Sequence, residues 1–255
     1  MPLPRIPRLL LLCIASVPLF HLTGCGSGNE AAKTGSSAER YTEAMAEFEK
    51  ENYRTAQEKL NALLLQDPTG EYADDAQFYL AESYFRGGDY KLAAFNYNRV
   101  YTLYSTSPYA GRALYRSAES YANAAPSFER DQRDTRSALG LYESFIRRYP
   151  SDPLVDSARS RIVFLRARLG AKEFAVAELY RKMDDNAAAL LYYDRVIADY
   201  SDTEYAQQAS GQKLTLLVEM GRTAEATEQL RRTLGLHPEW RSTSPFNSLS
   251  AKLGL

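Results

Sequence analysis

Apolar residues along most of this chain recur every three or four positions, which is the spacing of one face of an α-helix. The helical stretches come in pairs separated by short polar turns, and the second stretch of a pair ends near Pro or Ser. Gly and Asn in the turns are favoured where a helix ends, and Pro cannot continue one. Four pairs are plain in the sequence, at residues 44–68, 81–108, 177–201 and 214–238. The pattern predicts a series of helix–turn–helix units.

Small residues recur at fixed positions in these pairs. One on the first helix is followed by another on the second, twelve positions later, in Ala44 and Ala56, Ala81 and Ala93, and Ala177 and Ala189. The spacing resembles the tetratricopeptide repeat, whose period is about 34 residues. The resemblance implies that the small residues let the two helices approach closely. One unit cannot bury its apolar face alone, so we expect an all-α tetratricopeptide-repeat solenoid of about five stacked units.

Five units account for the chain from residue 39 to residue 239. Their expected limits are 39–70, 71–107, 108–151, 152–202 and 203–239. The third unit is stretched, because its small residues Ala118 and Ala138 are twenty positions apart, and the fourth contains one long helix. Residues 240–255 form a C-terminal tail. There Trp240 is expected to cover the end of the array, and the Ser-rich remainder is expected to be disordered.

Residues 1–24 have the layout of a secretory signal peptide. Two arginines precede an apolar run at residues 9–20, which is shorter than the roughly 20 apolar residues that span a membrane. Leu22-Thr23-Gly24-Cys25 resembles a bacterial lipobox, and the resemblance implies that Cys25 is acylated and begins the mature chain. No cysteine follows it, so it has no disulfide partner within the mature chain. Residues 25–38 are therefore expected to be a lipidated cysteine and a flexible tether.

Composition narrows the classes of function. Residues 1–24 contain two of the 31 Lys and Arg residues and none of the 32 Asp and Glu residues, so the mature chain carries a formal charge of −3. This balance gives no electrostatic basis for nucleic-acid binding. His237 is the single histidine after the signal segment, so neither a metal site nor a cofactor is expected. The repeats leave no block of about 100 residues for a catalytic domain, so the chain is not expected to be an enzyme.

A row of aromatic residues marks the first helices. Three positions before the small residue stand Tyr41, Phe78, Tyr115 and Phe174, and one position after it stand Met45, Glu82, Glu119 and Glu178. In tetratricopeptide arrays these positions face the concave surface, so the resemblance implies an aromatic groove with an acidic edge that suits an extended peptide. The sequence leaves an alternative open. The rings then pack between neighbouring helices, and the glutamates form a solvated face or pair with nearby Arg.

Two longer stretches carry a more specific signal. Residues 127–153, SFERDQRDTRSALGLYESFIRRYPSDP, include an insert with Arg130-Asp131-Gln132, and residues 166–203 begin RARLGAKEFAVAELYRKM. With the lipobox and the five-unit layout, they resemble the BamD family of outer-membrane protein assembly lipoproteins over about residues 36–238. Two positions depart from that family's pattern: Gly170 replaces the usual Ala, and Asp184-Asp185-Asn186 replaces a Gly-aromatic turn.

The resemblance implies a scaffold without covalent chemistry. Such proteins are held by a lipid anchor on the periplasmic face of the outer membrane. They bind the barrel insertase BamA through the periplasmic POTRA domain nearest its barrel, and they help to receive unfolded outer-membrane proteins. Other assembly lipoproteins are further expected partners. Units 1–3, residues 39–151, are then expected to hold the substrate groove, formed by Tyr41, Phe78, Glu82, Phe85 and Tyr115.

Units 4 and 5, residues 152–239, are expected to contact the insertase, with Arg195, Glu178, Arg130 and Asp131 at the interface. Arg195 matches an Arg of the family's pattern and suits a charge-assisted bond, although a solvated surface Arg is the alternative. Arg130 and Asp131 either pair locally to shape the insert or face a partner. A second assignment stays open, namely a lipid-anchored periplasmic repeat adaptor for cell-envelope or division proteins. The thirteen-residue tether disfavours it, since such adaptors often carry a coiled coil before the repeats.

Overall fold

The computed structural model describes residues 35–255. These residues form eleven α-helices and one short 3₁₀ helix, and they contain no strand. The all-α prediction is therefore confirmed for this part of the chain. The signal segment, Cys25 and most of the tether lie outside the described residues, so the lipidation of Cys25 stays a prediction.

The first ten helices follow one another in pairs along the chain. Their bounds are α1 Ser37–Glu49, α2 Tyr53–Gln66, α3 Ala73–Arg86, α4 Tyr90–Leu103, α5 Ala110–Ala124, α6 Arg133–Arg148, α7 Val155–Lys182, α8 Asn186–Asp199, α9 Glu204–Glu219 and α10 Thr223–Leu236. Each helix packs on the helix before it and the helix after it. The pairs α1–α2, α3–α4, α5–α6, α7–α8 and α9–α10 are called units 1 to 5 below.

Alanines make the close approach of the two helices within a unit. The six alanines spaced twelve positions apart are all 0% exposed: Ala44, Ala56, Ala81, Ala93, Ala177 and Ala189. A larger side chain at such a contact forces the helices apart and strains the packing. Large side chains four positions further on the second helix, Leu60, Tyr97 and Tyr193, are also 0% exposed. The alternation of small and large residues therefore builds the interior of each unit.

The turns inside units 1, 2, 4 and 5 each contain one residue with a left-handed backbone. These residues are Glu51 (φ 62°), Gly88 (φ 85°), Asp184 (φ 60°) and Gly221 (φ 75°). Glycine adopts this conformation freely, whereas a residue with a side chain loses roughly 1–2 kcal/mol there. Asp184 therefore gives unit 4 the same turn conformation that Gly88 gives unit 2, although its turn sequence departs from the expected Gly-aromatic one.

The insert of unit 3, residues 125–132, is a folded loop built around the side chain of Gln132. This side chain is buried and donates Nε2 to the carbonyl oxygens of Ser127 at 2.8 Å and Arg130 at 3.1 Å. Its Oε1 accepts a hydrogen bond from Thr135 Oγ1 at 2.7 Å. Lys172 of α7 donates to the carbonyl oxygen of Glu129. The additional residues therefore fold onto unit 4.

The C-terminal tail closes the end of the array. It contains the 3₁₀ helix η1, Pro238–Ser242, and α11, Phe246–Leu253. Phe246 is fully buried, and half-buried Trp240 packs with it against α10. Trp240 thus covers the end of the array as expected. The expectation that the Ser-rich remainder is disordered is wrong. Its few apolar residues lie on one face of α11 and pack on unit 5.

Gly211 of α9 makes room for this tail. A Cβ atom at this position would lie 2.7 Å from Cδ of Pro245, which no real side chain tolerates without movement. Unit 5 therefore has glycine where units 1 to 4 have an aromatic residue in the first-helix row. The row stops because the chain's own C-terminal segment occupies that place.

Candidate functional site

The first-helix face of units 1–3, formed by side chains of α1, α3 and α5, is where the sequence places the substrate groove. Two of its expected rings are buried, Phe78 at 2% exposure and Tyr115 at 8%. Phe78 stacks on Tyr109 with ring centroids 4.5 Å apart, and Tyr115 meets Tyr142 and Phe145 edge-on at 5.4 and 5.5 Å. This corrects the expectation of exposed rings. Phe78 and Tyr115 are packing residues, as in the alternative that the sequence left open.

The other two aromatic residues of the expected groove are half-buried. Tyr41 stacks on Tyr72 with centroids 5.1 Å apart. Burial and, next, the Asp75 carboxylate raise the pKa of its hydroxyl, so Tyr41 stays a neutral donor. Phe85 packs edge-on against Tyr90 at 5.3 Å. Both keep some accessible surface, so they remain candidates for contact with a ligand.

Arginine side chains cover the aromatic residues of this face. The guanidinium carbon of Arg116 lies 3.8 Å from the ring centroid of Phe85, and that of Arg112 lies 5.4 Å from the ring centroid of Phe78. Such cation–π contacts contribute about 0.5–1 kcal/mol at exposed sites. A ligand on this face therefore meets guanidinium groups above an aromatic floor. Reading the sequence position by position missed Arg112 and Arg116.

Glu82 is the centre of a buried ion cluster, which corrects the expectation of a free acidic edge. Its side chain is only 5% exposed. Arg116 donates Nε to Oε1 at 2.9 Å and Nη2 to Oε2 at 3.0 Å, and a third nitrogen reaches Glu119 at 2.5 Å. Burial and, next, Glu82 raise the pKa of the neighbouring Tyr97 hydroxyl. The two-point bond joins α3 to α5, so Glu82 fixes unit 2 to unit 3.

A tyrosine and an aspartate meet near the start of α5. Tyr109 donates its hydroxyl to Asp75 Oδ1 at 3.0 Å. Burial and, next, the hydrogen bond to Asp75 raise the pKa of Tyr109 to about 12. Burial also raises the pKa of Asp75 above its ordinary value. This pair adds a hydrogen-bonding group beside Tyr41 on the first-helix face.

Glu178 of α7 is used inside unit 4. It accepts a hydrogen bond from the hydroxyl of Tyr193 on α8, whose side chain is fully buried. Burial and, next, Glu178 raise the pKa of that hydroxyl. The carboxylate therefore stabilises the contact between α7 and α8. The contact between Glu178 and a partner, expected from the sequence, stays a prediction. The carboxylate has this structural role in addition.

Arg195 of α8 is on the surface, with 54% of its side chain exposed. Its guanidinium carbon lies 5.2 Å from the ring centroid of Tyr192, and Nη1 lies 3.8 Å from Glu173 Oε2. Asp194 is held by Lys213 at 2.6 Å and does not compete for Arg195. The ring and the distant carboxylate orient the guanidinium group and leave it available to a further carboxylate.

Arg130 and Asp131 are exposed residues of the insert. Asp131 accepts hydrogen bonds from the backbone N–H of Arg133 at 3.0 Å and from its Nε at 2.5 Å, and these bonds lower the pKa of Asp131. The local partner of Asp131 is thus Arg133, which corrects the Arg130–Asp131 pair that the sequence suggested. Gln132, between them, is the residue that shapes the loop.

Residues 35–255 contain no group of three or more His, Cys, Asp or Glu side chains arranged to hold a metal ion. In the same range, no helix combines the length and the apolar character needed to cross a membrane.

Comparison with known proteins finds similarity to one family. The family model YfiO, described as outer membrane lipoprotein, matches residues 33–233. The outer membrane protein assembly factor BamD of Vibrio cholerae is 25% identical over 227 residues, covering 85% of this chain and 94% of the relative. BamD of Neisseria meningitidis serogroup B is 27% identical, covering 66% of this chain and 67% of the relative. BamD of Caulobacter vibrioides is 26% identical and covers 75% of this chain and 62% of the relative.

Proposed function

The chain belongs to the YfiO family of outer membrane lipoproteins, and we propose that it is a scaffold of outer-membrane β-barrel assembly. The observation that carries the proposal is the match of this family model across the repeat array, with relatives named outer membrane protein assembly factor. In this role the protein receives unfolded outer-membrane proteins and passes them to the barrel insertase. Its contribution is binding and positioning, and no covalent step is involved.

The membrane attachment in this proposal is a lipid on Cys25. Several acyl chains on one residue give a firm anchor, because each buried CH₂ contributes about 0.8 kcal/mol. The Gly- and Ser-rich residues 26–38 then act as a tether between the anchor and α1. This places the repeat array beside the periplasmic face of the outer membrane.

Unfolded clients bind the first-helix face of units 1–3 in this proposal. Arg112 supplies hydrogen-bond donors above the ring of Phe78. Arg116 supplies a positive charge above the ring of Phe85, with its guanidinium group held by Glu82 and Glu119. Tyr41 and Phe85 supply half-buried aromatic surface. Arginine and tyrosine are enriched among the residues that dominate binding energy, because they combine large contact area with hydrogen bonding. The Glu82–Arg116 bond keeps this face in one shape.

The insertase binds units 4 and 5, with Arg195 as the central contact. A carboxylate on the POTRA domain nearest the barrel pairs with its guanidinium group. Tyr192 and Glu173 orient Arg195 before the partner arrives, which reduces the entropy lost on binding. Other assembly lipoproteins are further partners of the same scaffold.

The experiment is affinity purification of the intact lipoprotein from envelopes extracted in mild detergent, with mass spectrometry of the co-purified proteins. We expect a stoichiometric large β-barrel protein with periplasmic domains. Arg195→Glu should reduce its recovery at least tenfold, since a charge pair becomes a repulsion. Arg54→Glu is the matched control, because Arg54 is an exposed arginine on α2, 92% exposed, and its reversal should change nothing.

Two results would contradict the proposal at different levels. Recovery of the barrel protein at full yield with Arg195→Glu would remove Arg195 from the interface and leave the scaffold function. Recovery of division or peptidoglycan proteins without any barrel protein would overturn the function itself.

A further inference from the structure

The insert of unit 3 has no task in the proposed function, yet it forms one wall of a separate cleft. This first cleft, about 500 Å³ in volume, lies between the insert, the middle of α7 and the start of α9. Three of its lining residues are aromatic: Phe128, Phe164 and Tyr205. Phe164 is 60% exposed, although it stands on a long regular helix. Exposed aromatic surface beside a cleft indicates a place for a ligand.

Arg168 brings an unsatisfied hydrogen-bond donor to this cleft. Its Nε is buried and has no acceptor. Its Nη2 reaches the carbonyl oxygen of Ala125 only at 3.5 Å, where a hydrogen bond is weak. Because Nε is buried, a ligand cannot reach it directly. A ligand carbonyl group in the cleft can instead accept from the end of the guanidinium group, whose own hydrogen bond to Ala125 is weak.

The charged groups around the cleft balance each other. Arg168 and Lys172 are positive, while Glu129 and Glu204 are negative. Hydrogen bonds from the backbone and from Ser127, with a smaller effect of the two cations, hold the pKa of Glu129 below its ordinary value, so this carboxylate is ionised. A cleft with balanced charges favours a neutral segment over an acidic or a basic one, because neither sign gains a net attraction.

A second cleft lies near the first. Tyr205 of the first cleft and Phe174 of the second have ring centroids 6.0 Å apart. The second cleft has a volume of about 630 Å³, and its lining includes the amide side chains Gln207, Gln208 and Gln212. Amide side chains both donate and accept hydrogen bonds, as a peptide backbone does. A chain leaving the aromatic cleft in extended conformation therefore meets groups suited to its backbone.

We propose that these two clefts bind an extended, uncharged segment of an unfolded client, with one aromatic side chain seated between Phe128 and Phe164. A backbone carbonyl of the segment accepts a hydrogen bond from Arg168, and the following residues lie along the glutamines of α9. The inference rests on the proposed function, since the occupant is a client of barrel assembly. It adds a client-binding site in units 4 and 5, beyond the face of units 1–3.

The test measures peptide binding to the intact lipoprotein in mild detergent by fluorescence anisotropy. The probe is a fluorescent ten-residue peptide with blocked ends, no charged residue and one central Phe; its partner peptide has Ala instead. The Ala peptide should bind about fivefold more weakly, which is the scale of one aromatic contact. Phe164→Ala should weaken the Phe peptide by a similar factor, and Arg168→Gln should weaken both peptides.

Val163→Ala is the matched control. Val163 is 57% exposed, precedes Phe164 on α7 and does not line the cleft, so its truncation should leave the affinity unchanged. Phe164 is itself mostly exposed, so its truncation should not unfold the protein, and a thermal unfolding curve verifies this.

Equal affinity for the two peptides, or full affinity after Phe164→Ala, would overturn the inference. If Arg112→Ala abolished peptide binding and Phe164→Ala did not change it, the peptide would bind units 1–3. That result would overturn this site and leave the proposed function standing. Absence of a barrel protein from the affinity purification of the unmodified chain would overturn the proposed function instead.

Discussion

Units 2 and 3 meet differently from units 4 and 5, although the repeat positions are equivalent. Glu82 and Glu178 both follow the small residue of a first helix. Glu82 is bonded at two points to Arg116 of the next unit, whereas Glu178 accepts from Tyr193 of its own unit. In unit 5 the position equivalent to Arg116 is occupied by Gln212; both stand two residues before the small-residue position. The side chain of Gln212 accepts a hydrogen bond from Arg181. The repeat sets the position of a residue, and its neighbour decides its role.

The difference separates a rigid region from a more open one. The joint between units 2 and 3 is held by buried charges that satisfy each other. Around units 4 and 5 lie two clefts, an exposed Phe164 and the unsatisfied Nε of Arg168. Buried satisfied networks give one fixed structure, whereas exposed rings are available to partners, and an unsatisfied buried donor marks incomplete packing. The substitutions below test this contrast, from the largest expected effect to the smallest.

Truncation of Phe78 and of Phe164, both on first helices, should give the largest difference in the free energy of unfolding. Phe78→Ala removes a ring that is 2% exposed, so it should lower the free energy of unfolding by about 3–5 kcal/mol. Phe164→Ala removes a ring that is 60% exposed and should lower it by less than about 0.5 kcal/mol. Urea unfolding followed by circular dichroism measures both. Similar losses for the two variants would contradict the assignment of Phe78 to the core.

Truncation of two equivalent glutamates comes next. Glu82→Ala leaves Arg116 with Glu119 as its remaining carboxylate, so it should cost about 2–3 kcal/mol, below the usual loss for a fully broken buried pair. Glu178→Ala leaves the hydroxyl of Tyr193 without its acceptor and should cost about 1–2 kcal/mol. The same unfolding measurement applies. A larger loss for Glu178→Ala would reverse the proposed order of rigidity.

The sequence contained enough information for the fold. The alanines twelve positions apart mark where helices touch, and that contact depends only on residue size and spacing. It also indicated that Arg195 is exposed, since helix periodicity assigns a face to each residue. It left open whether Phe78 is buried or lines a groove, because the ring covering it, Tyr109, comes from the start of the next unit.

The charged contacts could not be predicted from the sequence either, because they also join residues of different units. Arg116 stands 34 residues after Glu82, which is one repeat period, and this spacing is the signal that the pair carries in the sequence. Many other charged residues lie a similar distance apart, so the spacing alone does not select the pair. The order of the C-terminal tail was missed because its Ser content hides the spacing of Phe246 and Leu249, which pack on unit 5.

The insert should loosen when its central side chain is removed. Gln132→Ala removes a buried side chain that makes three hydrogen bonds, and should cost about 1–2 kcal/mol. Amide hydrogen exchange should become faster in residues 125–132 and remain unchanged in units 1 and 5. Asn247→Ala is the control, because its side chain is exposed and bonds only the next backbone N–H. Unchanged exchange in the insert would show that Gln132 does not shape it.

The turn of unit 1 can be made more stable by one substitution. Glu51 has φ 62°, where a side chain is unfavourable, so Glu51→Gly should raise the free energy of unfolding by about 0.5–1 kcal/mol. The control is Ala46→Gly, which places glycine at an exposed position inside α1 and should lower the stability by a similar amount. Thermal unfolding checks both. A loss of stability with Glu51→Gly would contradict the assigned backbone conformation.

The smallest effect concerns acid stability at the junction between units 4 and 5. Arg166 of α7 donates to both oxygens of Asp202, and these bonds lower the pKa of Asp202 below its unfolded value. Their contribution is therefore present above the unfolded pKa and is lost as the pH falls through the folded pKa. Arg166→Met should remove less than about 1 kcal/mol at pH 7 and nothing at pH 2, because the pair is partly exposed. An equal loss at both pH values would contradict this.

Photo-crosslinking in intact cells tests the central division of labour most directly. A benzoylphenylalanine is placed at position 112, or at position 191, where exposed Leu191 stands one helical turn before Arg195 on α8 and can be replaced with Arg195 left in place. The account predicts newly made, unfolded outer-membrane proteins at position 112 and one folded β-barrel partner at position 191. The same product at both positions, or division and peptidoglycan proteins at either one, would contradict it.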